Sequence, residues 1–120
     1  MTTNHISNRI SKGRANMTHW MGHQITGTYN QLVRFLGEPT YQDRDKSFAS
    51  WSLKLDDEFV FTIYDWKEAD DLRQSPYSVY TLNVGSQCQD HSDRAIEFLK
   101  SLRFKTPQER DELGDFRSRF

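Results

Sequence analysis

Several groups of residues in this chain have types and spacings that could do chemistry. His19 and His23 lie four apart, which on a helix would set two imidazoles on one face as metal ligands. Gly22 separates them and no Asp, Glu or Cys is near in sequence, so no metal site is expected. Cys88 and His91 have C-x-x-H spacing, which could pair a thiol with a base. They lack the second half of a metal motif, and the favoured reading is a loop cysteine next to a helix-start histidine. Asp56-Asp57-Glu58 and Glu68, Asp70 and Asp71 are acidic clusters. Carboxylates do acid–base work only when burial shifts their pKa values, and both clusters fall in expected turns, where water keeps them ionised. No catalytic residue is assigned, so the chain is expected to be no enzyme and to use no cofactor or metal.

Residues suited to recognition stand out more. Tyr64-Asp65-Trp66-Lys67 closes an apolar run that begins at Phe59. If Phe59, Phe61 and Ile63 face a core, strand alternation turns Val60, Tyr64 and Trp66 the other way, and Tyr and Trp are enriched at binding hot spots. The expected partner-binding set is Val60, Tyr64 and Trp66 as anchors, Asp65 and Lys67 at the rim, and Asp70 and Asp71 steering a basic partner. A second candidate is the basic segment with Arg9, Lys12 and Arg14, which could contact phosphates. It lacks interleaved aromatics, and a solvated arm is the simpler expectation. The scattered glycines Gly13, Gly22 and Gly27 do not make a phosphate loop.

The elements that must position these residues follow from periodicity. Trp20 to Thr28 alternates like a strand, weakened by two glycines. Thr28 and Gln31 have capping-box spacing, Leu32, Val33, Phe35 and Leu36 make an apolar stripe, and Gly37 and Pro39 stop the helix. Trp51, Leu53 and Leu55 alternate with Ser52 and Lys54, which predicts a half-exposed strand; Asp56-Asp57-Glu58 turns the chain into a second strand, apolar on both faces. A loop over 68–76 leads to a strand over 77–84. A helix capped by Asp90 or Ser92 follows, with Ala95, Ile96, Leu99 and Leu102 toward the core. Thr106-Pro107-Gln108-Glu109 starts a short third helix. The expected fold is α+β: an antiparallel sheet of three to four strands with two helices on one face, in the order β-α-β-β-β-α plus a tail. Residues 1–19 form a polar basic arm outside it, within which Met17 could serve as an alternative start; residues 20–105 form one domain, and residues 106–120 a short helix and tail.

Composition bounds the rest. With 120 residues the chain is one domain. Hydrophobic residues are only 35%, so eight Phe, five Tyr and three Trp must carry much of the packing. The net charge of -1 excludes both a generally basic nucleic-acid binder and an acidic mimic, although no Asp or Glu occurs from Met1 to Gly37. A lone cysteine favours a reducing compartment, and no apolar run is long enough to span a membrane.

Gly27 to Val33 reads Gly-x-Tyr-x-x-Leu-Val, followed by Leu36-Gly37-Glu38-Pro39, Asp45-Lys46, Trp51, Val60-Phe61-Thr62-Ile63-Tyr64-Asp65-Trp66-Lys67 and Leu82-Asn83-Val84-Gly85. This pattern, over residues 25–86, resembles a group of small proteins encoded by bacteriophages and prophages. Asp57-Glu58 stands where that pattern usually has Asp-Gly. Leu82-Asn83-Val84-Gly85-Ser86 stands where it often has Trp-His-Ile-Gly-Gly. The resemblance implies an accessory protein in the bacterial host cytoplasm that binds and inhibits a host protein by steric occlusion, in the manner of anti-CRISPR and other anti-defence factors. A homodimer stays open as a further partner. The alternatives are a nucleotide sponge that would use Arg34, Tyr64 and Trp66 between subunits, and a nucleic-acid binder through the arm.

Overall fold

The computed structural model describes residues 6–14, 18–40, 49–65 and 71–112, with side chains as far as residue 110. The chain is α+β. Its strands are β1 (Ile10–Lys12), β2 (His19–Thr28), β3 (Ser50–Leu55), β4 (Phe59–Tyr64) and β5 (Val79–Ser86), and its helices are α1 (Tyr29–Leu36), α2 (Gln89–Ser101) and α3 (Pro107–Glu112). All five strands join one antiparallel sheet in the order β1-β3-β4-β5-β2.

The β3–β4 hairpin pairs Trp51 with Ile63, Leu53 with Phe61 and Leu55 with Phe59. Strand alternation sends all six to one face, and each is at most 5% exposed. The turn brings Asp56 and Asp57 to φ 54° and 57°, and the Glu58 N–H donates to Leu55 O at 2.9 Å. Aspartate tolerates this left-handed backbone better than most residues, so the turn closes without a glycine.

Helices α1 and α2 cover this apolar face. Leu32 and Leu36 of α1 and Ala95, Ile96, Phe98 and Leu99 of α2 enter the same core as the hairpin residues. Phe98 meets Phe61 edge-on at 6.3 Å, and the Trp51 indole N–H donates to Gly37 O at 2.8 Å. Thr28 and Gln31 form the expected capping box at α1. Thr106 and Glu109 form a second at α3, each side chain accepting from the other's backbone N–H.

Three expectations need correction. Residues 10–12, placed in a polar basic arm outside the domain, are the edge strand β1. The second helix is capped neither by Asp90 nor by Ser92: it begins after Cys88, whose side chain makes no cap bond. Ser92 is buried within it, its hydroxyl paired with that of Ser86. Finally, β5 is shifted two residues C-terminal of the expected strand, leaving Tyr77 83% exposed before it. Leu72, in the loop that precedes it, is fully buried.

Candidate functional site

The second face of the sheet is polar, and the cross-strand register arranges it in rows. One row is Ser52, Thr62 and Gly85. The next is Ser50, Tyr64, Asn83 and Gln24, where the Gln24 amide donates to Asn83 Oδ1 at 2.9 Å. On the other side, Lys54 pairs with Val60 and Ser11. Ser50, Ser52, Thr62 and Asn83 are all buried despite their polarity.

The chain's own N-terminal segment lies against part of this face. β1 and β2 occupy opposite edges of the sheet, four interstrand spacings or about 19 Å apart. The chain passes from one edge to the other between Lys12 and His19. Both described ends of this path touch the polar face. A Cβ on Gly13 would lie 2.9 Å from Lys54 N and from Val60 Cγ2; one on Gly85 would lie 2.8 Å from Thr62 Oγ1 and 3.0 Å from His19 O. The backbone at Gly13 therefore abuts the Lys54–Val60 row, and the backbone at His19 abuts Gly85 in the next row, where a larger residue would not fit.

The expected partner-binding residues separate here. Val60 and Tyr64 do point away from the core, as alternation requires, and both are half-buried. Val60 is packed against Gly13 rather than left open. Burial pushes the Tyr64 hydroxyl pKa up, so it stays a neutral donor and acceptor. Asp65 is not a rim group: it is 4% exposed, and the Ala49 N–H donates to its Oδ1 at 3.1 Å. Asp71 is engaged by Arg73 through Nε at 3.0 Å and Nη2 at 2.9 Å. These bonds hold the Asp71 carboxyl below its ordinary range. Its role is to close a turn, not to present free charge. Trp66, Lys67 and Asp70 lie outside the described residues.

The acidic turn is likewise met from within. Arg9 grips Asp56 through Nε at 2.9 Å and Nη2 at 2.7 Å, and Arg94 Nη2 reaches Glu58 at 2.6 Å. The Arg9 bonds hold Asp56 below the usual carboxylate range. Of the three basic residues assigned to phosphate contact, Arg9 is thus committed to Asp56, whereas Lys12 and Arg14 are exposed. Arg34 stands over Phe35 at 5.7 Å on α1, across the sheet from Tyr64, so a site shared by the two would need two chains.

Among the described residues, His23, His91 and Cys88 lie in separate surroundings. His23 Nε2 lies 2.7 Å from Asp93 Oδ1. The His91 ring lies flat on Phe59, with centroids 4.3 Å apart, and its Nδ1 is buried without a hydrogen-bond partner. Cys88 is exposed at the start of α2. Among the described residues, no three His, Cys, Asp or Glu side chains gather as a metal site. No described helix is long and apolar enough to cross a membrane.

The described rows of the polar face offer hydroxyl, amide, phenol and ammonium groups. Such a surface can hydrogen-bond and pack. Sequence reasoning missed Gly13, Ser52, Thr62, Asn83 and Gly85. The signal for four of them was present, as small polar residues alternating with the apolar core positions of β3, β4 and β5. Comparison of the chain with protein-family models, curated proteins and solved structures finds no match in any of the three.

Proposed function

We propose that this chain is a non-catalytic binding protein that occludes the surface of a protein partner, with Tyr64 as its contact anchor. The observation that carries this reading is the placement of Tyr64: half-buried, neutral, on the sheet face away from α1 and α2, at the end of β4 where Trp66 and Lys67 follow in sequence. The neighbouring Ser50, Asn83 and Gln24 supply a polar surround. An aromatic anchor within such a surround is the usual composition of a binding hot spot. The resemblance to small phage and prophage proteins gives the partner its class: a host protein in the bacterial cytoplasm, with a component of a defence system as the first choice.

The test is affinity capture from bacterial host lysate with the intact chain, with Tyr64→Ala and with Trp66→Ala, read by mass spectrometry beside the thermal midpoint of each variant. A stoichiometric protein that is captured by the intact chain and lost in a variant of unchanged midpoint is the expected result. No stoichiometric partner, or full capture by both variants, overturns the proposal.

A further inference from the structure

We infer that β1 is a displaceable strand and that the edge of β3 beneath it is a docking site for another extended peptide, one with a basic residue, then a β-branched apolar residue, then a glycine three positions on. The bonds that seat β1 are generic. It pairs Ile10 with Leu55, Ser11 with Lys54 and Lys12 with Leu53, flanked by the Asp56 N–H to Arg9 O at 2.7 Å and the Gly13 N–H to Ser52 O at 3.0 Å. These are backbone contacts that any extended chain can make, which is how sheet edges recruit strands.

The side-chain holds are few and partly wet. Ile10 is the one buried side chain of β1; Ser11 and Lys12 are exposed. The Arg9–Asp56 pair is 50% and 31% exposed, so water and salt screen it. β1 spans three residues, against six paired residues between β3 and β4. It is therefore the least secured strand of the sheet.

The same contacts define what would replace it. Arg9 lies 5.1 Å over the Phe98 ring while holding Asp56. It borders a groove of about 300 Å³, which Leu55, Asp93, Arg94, Glu97 and Phe98 also line. The carboxylates of Asp56 and Glu97 favour a basic residue at that place, and Leu55 and Phe98 favour an apolar neighbour. The glycine follows from the 2.9 Å approach of a Cβ at position 13 to the Lys54 backbone. Departure of Gly13 would also uncover Val60, on the same face as Tyr64. The docking claim itself rests on the β3 edge and not on the occlusion reading, so either can fail alone.

Alternate amides of β3 provide the test in the full chain. The Lys54 and Asp56 N–H groups face β1, and the Leu53 N–H faces β4. Hydrogen exchange followed by NMR is expected to run at least about ten-fold faster at Lys54 and Asp56 than at Leu53, and faster still in high salt. An unlabelled peptide with the sequence of residues 6–14, added in excess, is expected to shift the resonances of 52–56 and Phe98. A peptide carrying Arg9→Glu is expected not to. In the full chain, Gly13→Val unseats β1 and is expected to tighten peptide binding several-fold. If that variant does not fold, the exchange and peptide measurements on the unsubstituted chain still decide. Equal exchange at Lys54 and Leu53, or millimolar peptide that shifts nothing at the β3 edge, overturns the inference.

Discussion

On one face of the sheet, Trp51, Leu53, Leu55, Phe59, Phe61 and Ile63 lock into α1 and α2. On the other, Ser52, Thr62, Asn83 and Gly85 lie in rows, with Gly13 laid against Val60 and the His19 backbone against Gly85. The first face gains its stability from area: a fully buried large apolar side chain contributes about 1.5–3 kcal/mol. The second gains little from area, and its hydrogen bonds are each worth about 0.5–1.5 kcal/mol net. The difference teaches where change is tolerable. The apolar face cannot be remodelled without unfolding the protein. The polar face is held by close fit and by exchangeable polar contacts, so it is the face that can serve recognition.

Substitutions can break this contrast. Phe61→Ala removes a fully buried ring and its edge contact with Phe98. It is expected to cost about 3–5 kcal/mol, measured by urea denaturation. On the polar face, the fit at Gly85 predicts a smaller loss for Gly85→Val, about 1–3 kcal/mol, because the added carbons meet Thr62 and the His19 backbone. Losses as large as that of Phe61→Ala would mean that the polar face is as tightly built as the core. Asp65→Ala leaves the fully buried Ala49 N–H without its acceptor and is expected to cost about 1–3 kcal/mol. A neutral result would return Asp65 to the rim role first assigned to it. Lys54→Gln, at the border of the same face, is expected to stay within about 0.5 kcal/mol.

A pH series sharpens the point for Asp71. The Arg73 bonds lower its pKa from the ordinary 3.8. A carboxyl whose folded pKa lies below its unfolded value stabilises the fold above the unfolded value and loses that contribution as pH falls through the folded one. The stability gap between the parent chain and Asp71→Asn is therefore expected to be full above pH 5 and to shrink steadily below about pH 4. A gap constant across that range would show that Asp71 does not act through its charge.

Much of the fold was legible because its signals are local. The boxes at Thr28 and Thr106 need only four consecutive residues, and the two faces of β3 and β4 follow from alternation. β1 carried no such signal: three residues with one apolar member give neither period nor cap. Ser92 was misread as a cap because its hydroxyl is taken by Ser86, a partner chosen by how β5 meets α2. Asp65 looked like a rim charge because nothing in Tyr-Asp-Trp-Lys shows that Ala49 will point an N–H at it. Of the candidate site, Tyr64 and Val60 were placed on the correct face, while the glycine against Val60 lies 47 residues away in sequence.

By itself, the sequence determined the α+β class, the hairpin, the capping of α1 and α3, and the aromatic core, since each depends on near neighbours and on the period of apolar residues. Only the tertiary structure decided that the N-terminal segment joins the sheet, that Arg9 and Arg94 pair with Asp56 and Glu58 of the acidic turn, and that Val60 lies under Gly13. Those outcomes depend on which strands become neighbours. Strand order brings together residues that no local pattern relates, and the charge or burial of each is then set by its partner across the sheet.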